Sequence, residues 1–344
     1  MGSPALYEIT PEKEASKAQF LRRQFSKAPP ALLRQDADLS GKTAILTGAN
    51  GGIGIECSRQ LLDLGLSKLI LAVRDEAKGE SARKGLTHLL KSGQSIEIWQ
   101  LDYSSYDSVV AFAQRAEGLN PRLDIAILNS GVNRANFNLN PATGHEEDLQ
   151  TNYLSTVLLT LLLLRAFKKA PTSSPGRIVI VSSDQAAWAK FDEKDKVPLL
   201  PAFDDKDAKW YPVERYATTK LLGQLFVSEL AKRTPSSLAV INCANPGLCY
   251  GSQLGSELGV IAAIFIRLVG HPTTTGARSL VYAAAKPDEK LHGQYIEDAT
   301  IRPMAPFVYS KEAEPISQRL WEETLQELSF AGVKDVVDGF IFSY

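Results

Sequence analysis

Residues 43–54 read Thr43-Ala-Ile-Leu-Thr47-Gly48-Ala-Asn50-Gly-Gly52-Ile53-Gly54. A short apolar, β-branched run enters a loop crowded with glycine, and an amphipathic stretch follows. Strand, tight turn and helix start come in that order, which separates a dinucleotide loop from a chance glycine cluster. With no side chains at Gly48, Gly52 and Gly54, the backbone can approach a pyrophosphate and helix N-terminal amides can face it. Thr47, Asn50 and Ile53 belong to the same candidate cofactor loop. The spacing is G-x-x-x-G-x-G, not G-x-G-x-x-G.

Downstream, short β-branched runs alternate with longer amphipathic ones, the signature of a parallel sheet covered by helices. Strands are expected at Thr43–Thr47, Lys68–Val73, Ser95–Leu101, Leu123–Leu128, Arg177–Val181 and Leu238–Cys243. Helices are expected near 52–64, 76–91, 105–117, 146–168, 214–233 and 274–285. No linker divides the chain, so a single doubly wound α/β domain is expected over 41–310, with 311–344 as a C-terminal helix and tail. Residues 1–40 read as an extension with one short charged helix ending near Pro29-Pro30. Residues 184–213 and 248–272 interrupt the rhythm beside the presumed site, which marks them as an inserted lobe and a substrate lid.

The chain has 344 residues, 44% hydrophobic, enough for one large core. Its formal charge of −1 gives no field to recruit nucleic acid or an anionic membrane. Cys57, Cys243 and Cys249 make no disulfide framework, and the scattered histidines make no metal site. Neither the N-terminus nor the apolar runs at 153–164 and 258–270 has the length of a membrane span. Gly2 follows Met1, but Leu6 stands where myristoylation needs Ser or Thr. A soluble, cytoplasmic protein is expected.

The second strand ends in Val73-Arg74-Asp75. An acidic residue there would bind the ribose 2′-hydroxyl of NAD, whereas Arg74 suits the 2′-phosphate of NADP and Asp75 suits a helix N-cap. Asp102 ends the third strand, where it could accept the adenine amino group. Asn129-Ser130-Gly131 ends the fourth, and its small residues permit close approach of a ribose. Asn152 opens an otherwise apolar helix, so its amide must stitch backbone together or order water. Ser182 and Ser183 end the fifth strand, where ligands bind in such sheets. Tyr216 and Lys220 are four apart and share a helical face. An ammonium there favours phenolate and should lower the phenol pKa. Pro246 and Gly247 close the sixth strand.

The ordered set TGANGGIG, LDYSS, LNSG, Asn152, Ser183, YATTK and NPG resembles the short-chain dehydrogenase/reductase family from Lys42 to Asp298. LAVRDEAKGE and GARSLVYAAA are similar to the retinol-dehydrogenase and WW-domain-oxidoreductase-like branch. The N-terminal lead and WEETLQEL resemble fungal reductases of secondary metabolism. The resemblance implies a Rossmann-like parallel sheet of about seven strands in the order 3-2-1-4-5-6-7. It also implies a tetrad. Tyr216 exchanges the proton, Lys220 lowers its pKa and meets the ribose, Ser183 orients the substrate oxygen and Asn152 holds a relay water. A homodimer through the helices carrying Asn152 and Tyr216 is allowed. Three departures stand out: the long interval between Ser183 and Tyr216, Ser130 where alanine is commoner, and Gly251 where a Thr or Ser meets the carboxamide, with Ser252 one place on.

The expected activity is NADP(H)-dependent interconversion of a ketone or aldehyde with its alcohol on an apolar small molecule, such as a polyketide, terpenoid or alkaloid. The alternatives are a redox-neutral isomerase, dehydratase or cyclase on the same fold, and a non-catalytic NADP-binding scaffold.

Overall fold

The computed structural model describes residues 7–169, 174–252, 254, 257 and 259–341. The strands expected from the pattern form as β1 (Thr43–Thr47), β2 (Lys68–Val73), β3 (Ser95–Gln100), β4 (Ile125–Leu128), β5 (Gly176–Val181) and β6 (Ala239–Asn245). β7 (Cys249–Tyr250) and β8 (His271–Pro272) pair with each other away from the main sheet. β9 (Tyr295–Glu297) joins β6 in parallel, and β10 (Thr300–Arg302) folds back antiparallel on β9. The sheet order is β10-β9-β6-β5-β4-β1-β2-β3. The expected order 3-2-1-4-5-6-7 is therefore present with β9 as its seventh member, and one antiparallel strand extends it. β1, β4 and β6 are buried along their whole length. A parallel strand covered on both faces reads as such a continuous apolar run.

Two short helices precede the sheet, α1 (Pro11–Glu14) and α2 (Lys17–Gln24). They replace the single helix expected to run towards Pro29-Pro30. Ser16 ends the first segment by capping α2, its hydroxyl accepting from the Gln19 amide at 3.2 Å. Then come α3 (Gly52–Asp63), α4 (Glu76–Thr87), α5 (Tyr106–Glu117), α6 (Glu147–Leu149), α7 (Ser155–Lys169) and α8 (Pro212–Arg233). The last are α9 (Val260–Val269), α10 (Thr273–Ala285), α11 (Ala313–Glu327) and α12 (Val333–Ile341). One apolar layer joins α3, α4 and α10 to one face of the sheet. The other joins α5, α7 and α8 to the opposite face. Ile45 points into the second layer and Leu46 into the first, as alternation along a strand requires.

α11 and α12 pack over α8 and α7 from outside. Trp321 of α11 stacks on Phe226 of α8 with ring centroids 5.4 Å apart. Leu161, Leu164 and Val227 are fully buried. The chain's own C-terminal helices thus cover part of the helices on which the resemblance allows a homodimer. The segment before α7 was expected to be one continuous helix. It contains a π turn, Gln150–Leu154, between α6 and α7.

The 184–213 insert folds back onto the body. The amides of Leu199 and Leu200 donate to Glu323 of α11 at 2.8 Å. His145 is held between Asp204 of the insert at 2.9 Å and Glu327 of α11 at 3.0 Å. Burial alone would lower the His145 pKa, but the hydrogen bonds to Asp204 and Glu327 outweigh it and raise it to about 9. A raised folded pKa stabilises fully below the unfolded value and loses that contribution as pH climbs through about 9. His145→Gln should therefore cost on the order of 2 kcal/mol at pH 7. Denaturant titrations at pH 7 and above pH 9 should show the gap to wild type closing at the higher pH. An unchanged gap would remove the charged bridge.

Four residues of the 248–272 segment (253, 255, 256 and 258) lie outside the described residues, as do residues 1–6 (with Gly2 and Leu6), 170–173 and 342–344. α9 is apolar yet buries none of its residues, with Ile261 86% and Leu268 73% exposed. It is therefore not a core helix. No helix among the described residues is long and apolar enough to cross a membrane.

Candidate active site

A cleft of about 1070 Å³ runs along the carboxyl ends of the strands, from the end of β2 to the end of β6. Gly48, Asn50, Gly52 and Ile53 line one end of it. Gly48 (φ +62°) and Gly52 (φ +51°) occupy the left-handed region that favours glycine. α3 follows the N-cap Gly51, which offers no side-chain cap, so the amides of its first two residues, Gly52 and Ile53, stay available to an anion. A Cβ on Gly54 would meet the Gly48 carbonyl and come within 2.9 Å of the Ala49 Cα. Gly54 thus shapes the loop from behind, outside the cleft lining. Thr47 acts likewise, its hydroxyl accepting from the Ser130 amide at 2.9 Å.

At the end of β2, Arg74 is exposed on the cleft wall, and Asp75 caps α4 by accepting from the Lys78 amide at 3.1 Å. That cap turns Lys78 towards the same wall. Lys78 was not singled out from the sequence, although it follows Arg74 by one helical turn. Among the described residues, no carboxylate lies within ion-pair distance of Arg74 or Lys78. Asp102 lines the cleft with Oδ1 bound by the Ser104 amide at 2.9 Å and the Ser104 hydroxyl at 2.7 Å. Its turn role and a ligand role share one carboxylate.

Asn129 reaches across from β4, its amide donating to the Thr47 and Gly48 carbonyls at 3.1 and 3.3 Å. Gly131 leaves room above Asn152 and Lys220, since a Cβ there would sit 3.2 Å from Asn152 Oδ1 and 3.6 Å from Lys220 Nζ. Asn152 lies in the π turn. Its Oδ1 accepts from the Val132 amide at 2.8 Å, and its Nδ2 donates to the Val132 carbonyl at 2.9 Å and Thr219 at 3.1 Å. The amide that needed partners has stitched the π turn, α8 and the loop after β4 together.

The two serines separate cleanly. Ser182 Oγ accepts from Gln224 at 3.1 Å, and Gln224 Oε1 accepts in turn from the Ala305 amide at 2.8 Å. Ser183 caps the turn at Asp184–Trp188, its hydroxyl accepting from the Gln185 amide at 3.2 Å and donating to Asp184 at 3.4 Å, and it lines the cleft beside Tyr216. Lys220 Nζ donates to the Val181 carbonyl at 2.9 Å and lies 5.5 Å from the Tyr216 ring centroid. Burial pulls the Lys220 pKa down to about 8, against the opposing influence of Cys243 and Asp148. Burial pushes the Tyr216 phenol up, Ser183 pulls it back, and Asp184 and Asp148 add to the rise. The lowering expected from Lys220 does not figure among these influences, and burial prevails: among the protein's own groups, Tyr216 keeps its proton at neutral pH.

Pro246 and Gly247 close the far side of the cleft, and Gly247 (φ +70°) donates from its amide to Asn245 at 3.0 Å. Ser252 lies against Gly52, whose Cβ would be 3.0 Å from the Ser252 Cα. Of the inserted lobe, only Asp184, Gln185 and Trp188 line the cleft. Lys17, Phe20 and Leu21 of α2 also line it, and nothing in the sequence marked them. Cys57, Cys243 and Cys249 are free and buried. Among the described residues no cluster of His, Cys, Asp and Glu could hold a metal ion.

The short chain dehydrogenase family model matches residues 42–191. The chain is 48% identical to the short-chain dehydrogenase fogG of Aspergillus ruber, over 96% of this chain and 98% of that protein. It is 41% identical to the short chain dehydrogenase/reductase mfmJ of Annulohypoxylon moriforme, over 93% and 94%. In fold it is similar to a gluconate 5-dehydrogenase from Burkholderia cenocepacia solved with NADP and tartrate. There the TM-score is 0.58 at 17% identity, over 76% of this chain and 95% of that one. With a cleft built from the loop at Gly48–Gly54 and a Ser183–Tyr216–Lys220 floor, and with relatives of this identity along nearly its whole length, the chain belongs to the short-chain dehydrogenase/reductase family, a family of oxidoreductases.

Proposed function

We propose that this protein is an NADP(H)-dependent carbonyl reductase acting on an apolar small molecule, with Asn152, Ser183, Tyr216 and Lys220 as its tetrad. The observation that carries the reading is the convergence of Ser183, Tyr216 and Lys220 in one cleft with Arg74 and Lys78 at its other end. The uncapped start of α3 and the glycine-lined loop fit a pyrophosphate. Arg74 and Lys78 fit a 2′-phosphate, and Asp102 an adenine amino group. When bound, the nicotinamide supplies a hydride to the carbonyl carbon.

The chain's own residues handle the oxygen. Ser183 donates to the carbonyl oxygen and orients it. Tyr216, holding its proton, donates it as negative charge develops on that oxygen. Lys220, charged below about pH 8, supplies the ammonium that steadies the phenolate left behind. Asn152, from the π turn, ties the Val132 backbone next to Gly131 to Thr219 next to Lys220. A phenol that holds its proton at neutral pH is in the protonation form that reduction draws on. Phe265 and Ile266 of α9 face the cleft from an apolar helix, which suits an apolar substrate.

Deuteride from labelled NADPH should appear on the carbinol carbon of the product. Conversion without cofactor turnover would favour an isomerase or cyclase instead. Arg74→Ala should weaken NADPH binding about 10- to 100-fold and NADH binding little, since a charge-assisted phosphate contact is worth about 1.5–3 kcal/mol. Equal losses for the two cofactors would show that Arg74 does not read the 2′-phosphate.

A further inference from the structure

Helix α2 stands far from every cofactor motif in sequence, yet it forms a wall of the cleft. Phe20 packs edge-on against Trp188 with centroids 5.3 Å apart, and Lys17 Nζ lies 2.9 Å from the centre of that ring. The Trp188 indole donates to the Ala15 carbonyl at 2.7 Å. Behind this wall two side chains hold the helix down. Arg23, buried, pairs with Glu297 of β9 at 3.0 Å and with Glu14, and lies 3.8 Å from Asp184, the neighbour of Ser183. Gln24 closes a ring of contacts on the base of the 248–272 segment. Its Nε2 donates to the Leu248 carbonyl at 3.0 Å and the Val269 carbonyl at 3.1 Å, and its Oε1 accepts from the Leu248 amide at 3.2 Å.

These contacts are of two kinds. Arg23 and Gln24 are fully engaged with protein groups. Phe20 and Leu21 both line the cleft, Phe20 largely covered by Trp188 and Leu21 42% exposed. An apolar side chain left open beside a reacting centre lacks a partner until a ligand arrives. From the same wall, Trp188 adds an aromatic surface. We infer that α2 is the substrate-selecting wall of this enzyme: Phe20 and Leu21 meet the apolar, ring-bearing part of the substrate beyond its carbonyl. Arg23 and Gln24 are positioning residues that fix this wall to the serine strand and to the α9 segment. The inference rests on the reductase reading above for the identity of the reacting end.

The test compares two carbonyl probes, bulky 9,10-phenanthrenequinone and small 2,3-butanedione, with NADPH and the full-length chain. Phe20→Ala with Leu21→Ala should raise KM for the quinone about tenfold, the value of one lost aromatic contact of about 1.4 kcal/mol. Its kcat, the NADPH affinity and the butanedione kinetics should stay within about twofold. Gln24→Ala should shift the same KM and leave kcat in place. Leu21→Trp, at a half-exposed site that does not threaten folding, should exclude the quinone while still admitting butanedione. Equal effects on both probes, or none on the quinone, would overturn the inference and leave the reductase reading intact. If wild type turns over neither probe, the reductase reading fails. Photolabelling with benzophenone in the presence of NADPH then decides α2 separately: adducts at Phe20 or Leu21 uphold the wall, and adducts confined elsewhere overturn it.

Discussion

Tyr216→Phe should lower kcat by about 10²–10⁴-fold, the range that one positioned general acid contributes. The substitution removes a single oxygen from a side chain that is 4% exposed, so little packing changes. Lys220 keeps its bond to the Val181 carbonyl and Ser183 keeps the turn it caps. NADPH affinity should therefore stay close to wild type, measured by fluorescence titration beside stopped-flow hydride transfer. The pairing of lost rate with kept binding is what distinguishes a proton donor from a structural tyrosine. Rates within threefold of wild type would remove Tyr216 from its role, and the scaffold reading would then gain ground.

Gly54→Ala should be the most damaging change outside the tetrad. The new methyl would point at the Gly48 carbonyl and at the Ala49 Cα, 2.9 Å away, and neither belongs to a flexible side chain. Overpacking against backbone costs about 1–3 kcal/mol. Relief can come only by moving the loop that begins at Gly48, which faces the cofactor end of the cleft. NADPH affinity should fall about 10- to 100-fold, with kcat at saturating cofactor far less changed. Calorimetric binding to the folded variant, checked by circular dichroism, would read this directly. Undiminished affinity would mean that the close packing of Gly54 on Gly48 has no bearing on the cofactor.

Much of this was legible because its determinants are local. The glycine loop is contiguous, β1, β4 and β6 are unbroken apolar runs, and Asn152, Ser183 and Tyr216 each sit at a strand end or helix face that periodicity locates. β9 and β10 escaped because three-residue strands leave no period to detect. The wall made by α2 escaped for a different reason. Its partners Asp184, Leu248 and Glu297 lie far along the chain, and side-chain pairing at that separation leaves no local mark. The phenol pKa was misjudged because spacing brings out the Lys220 charge and hides the desolvation of the tyrosine itself. The insert was read as a pocket lobe on its position. Its Leu199 and Leu200 instead hold Glu323 of α11, and only its first turn lines the cleft.

The bond between Arg23 and Glu297 spans 274 residues. On a chain made from its N-terminus, the segment carrying Phe20 and Leu21 emerges first, yet its contacts are completed only when Glu297 of β9 has left the ribosome. The glycine loop and first strands can assemble well before that. The cofactor loop and the wall inferred to meet the substrate are therefore finished at different moments of synthesis, and the α2 wall is completed late.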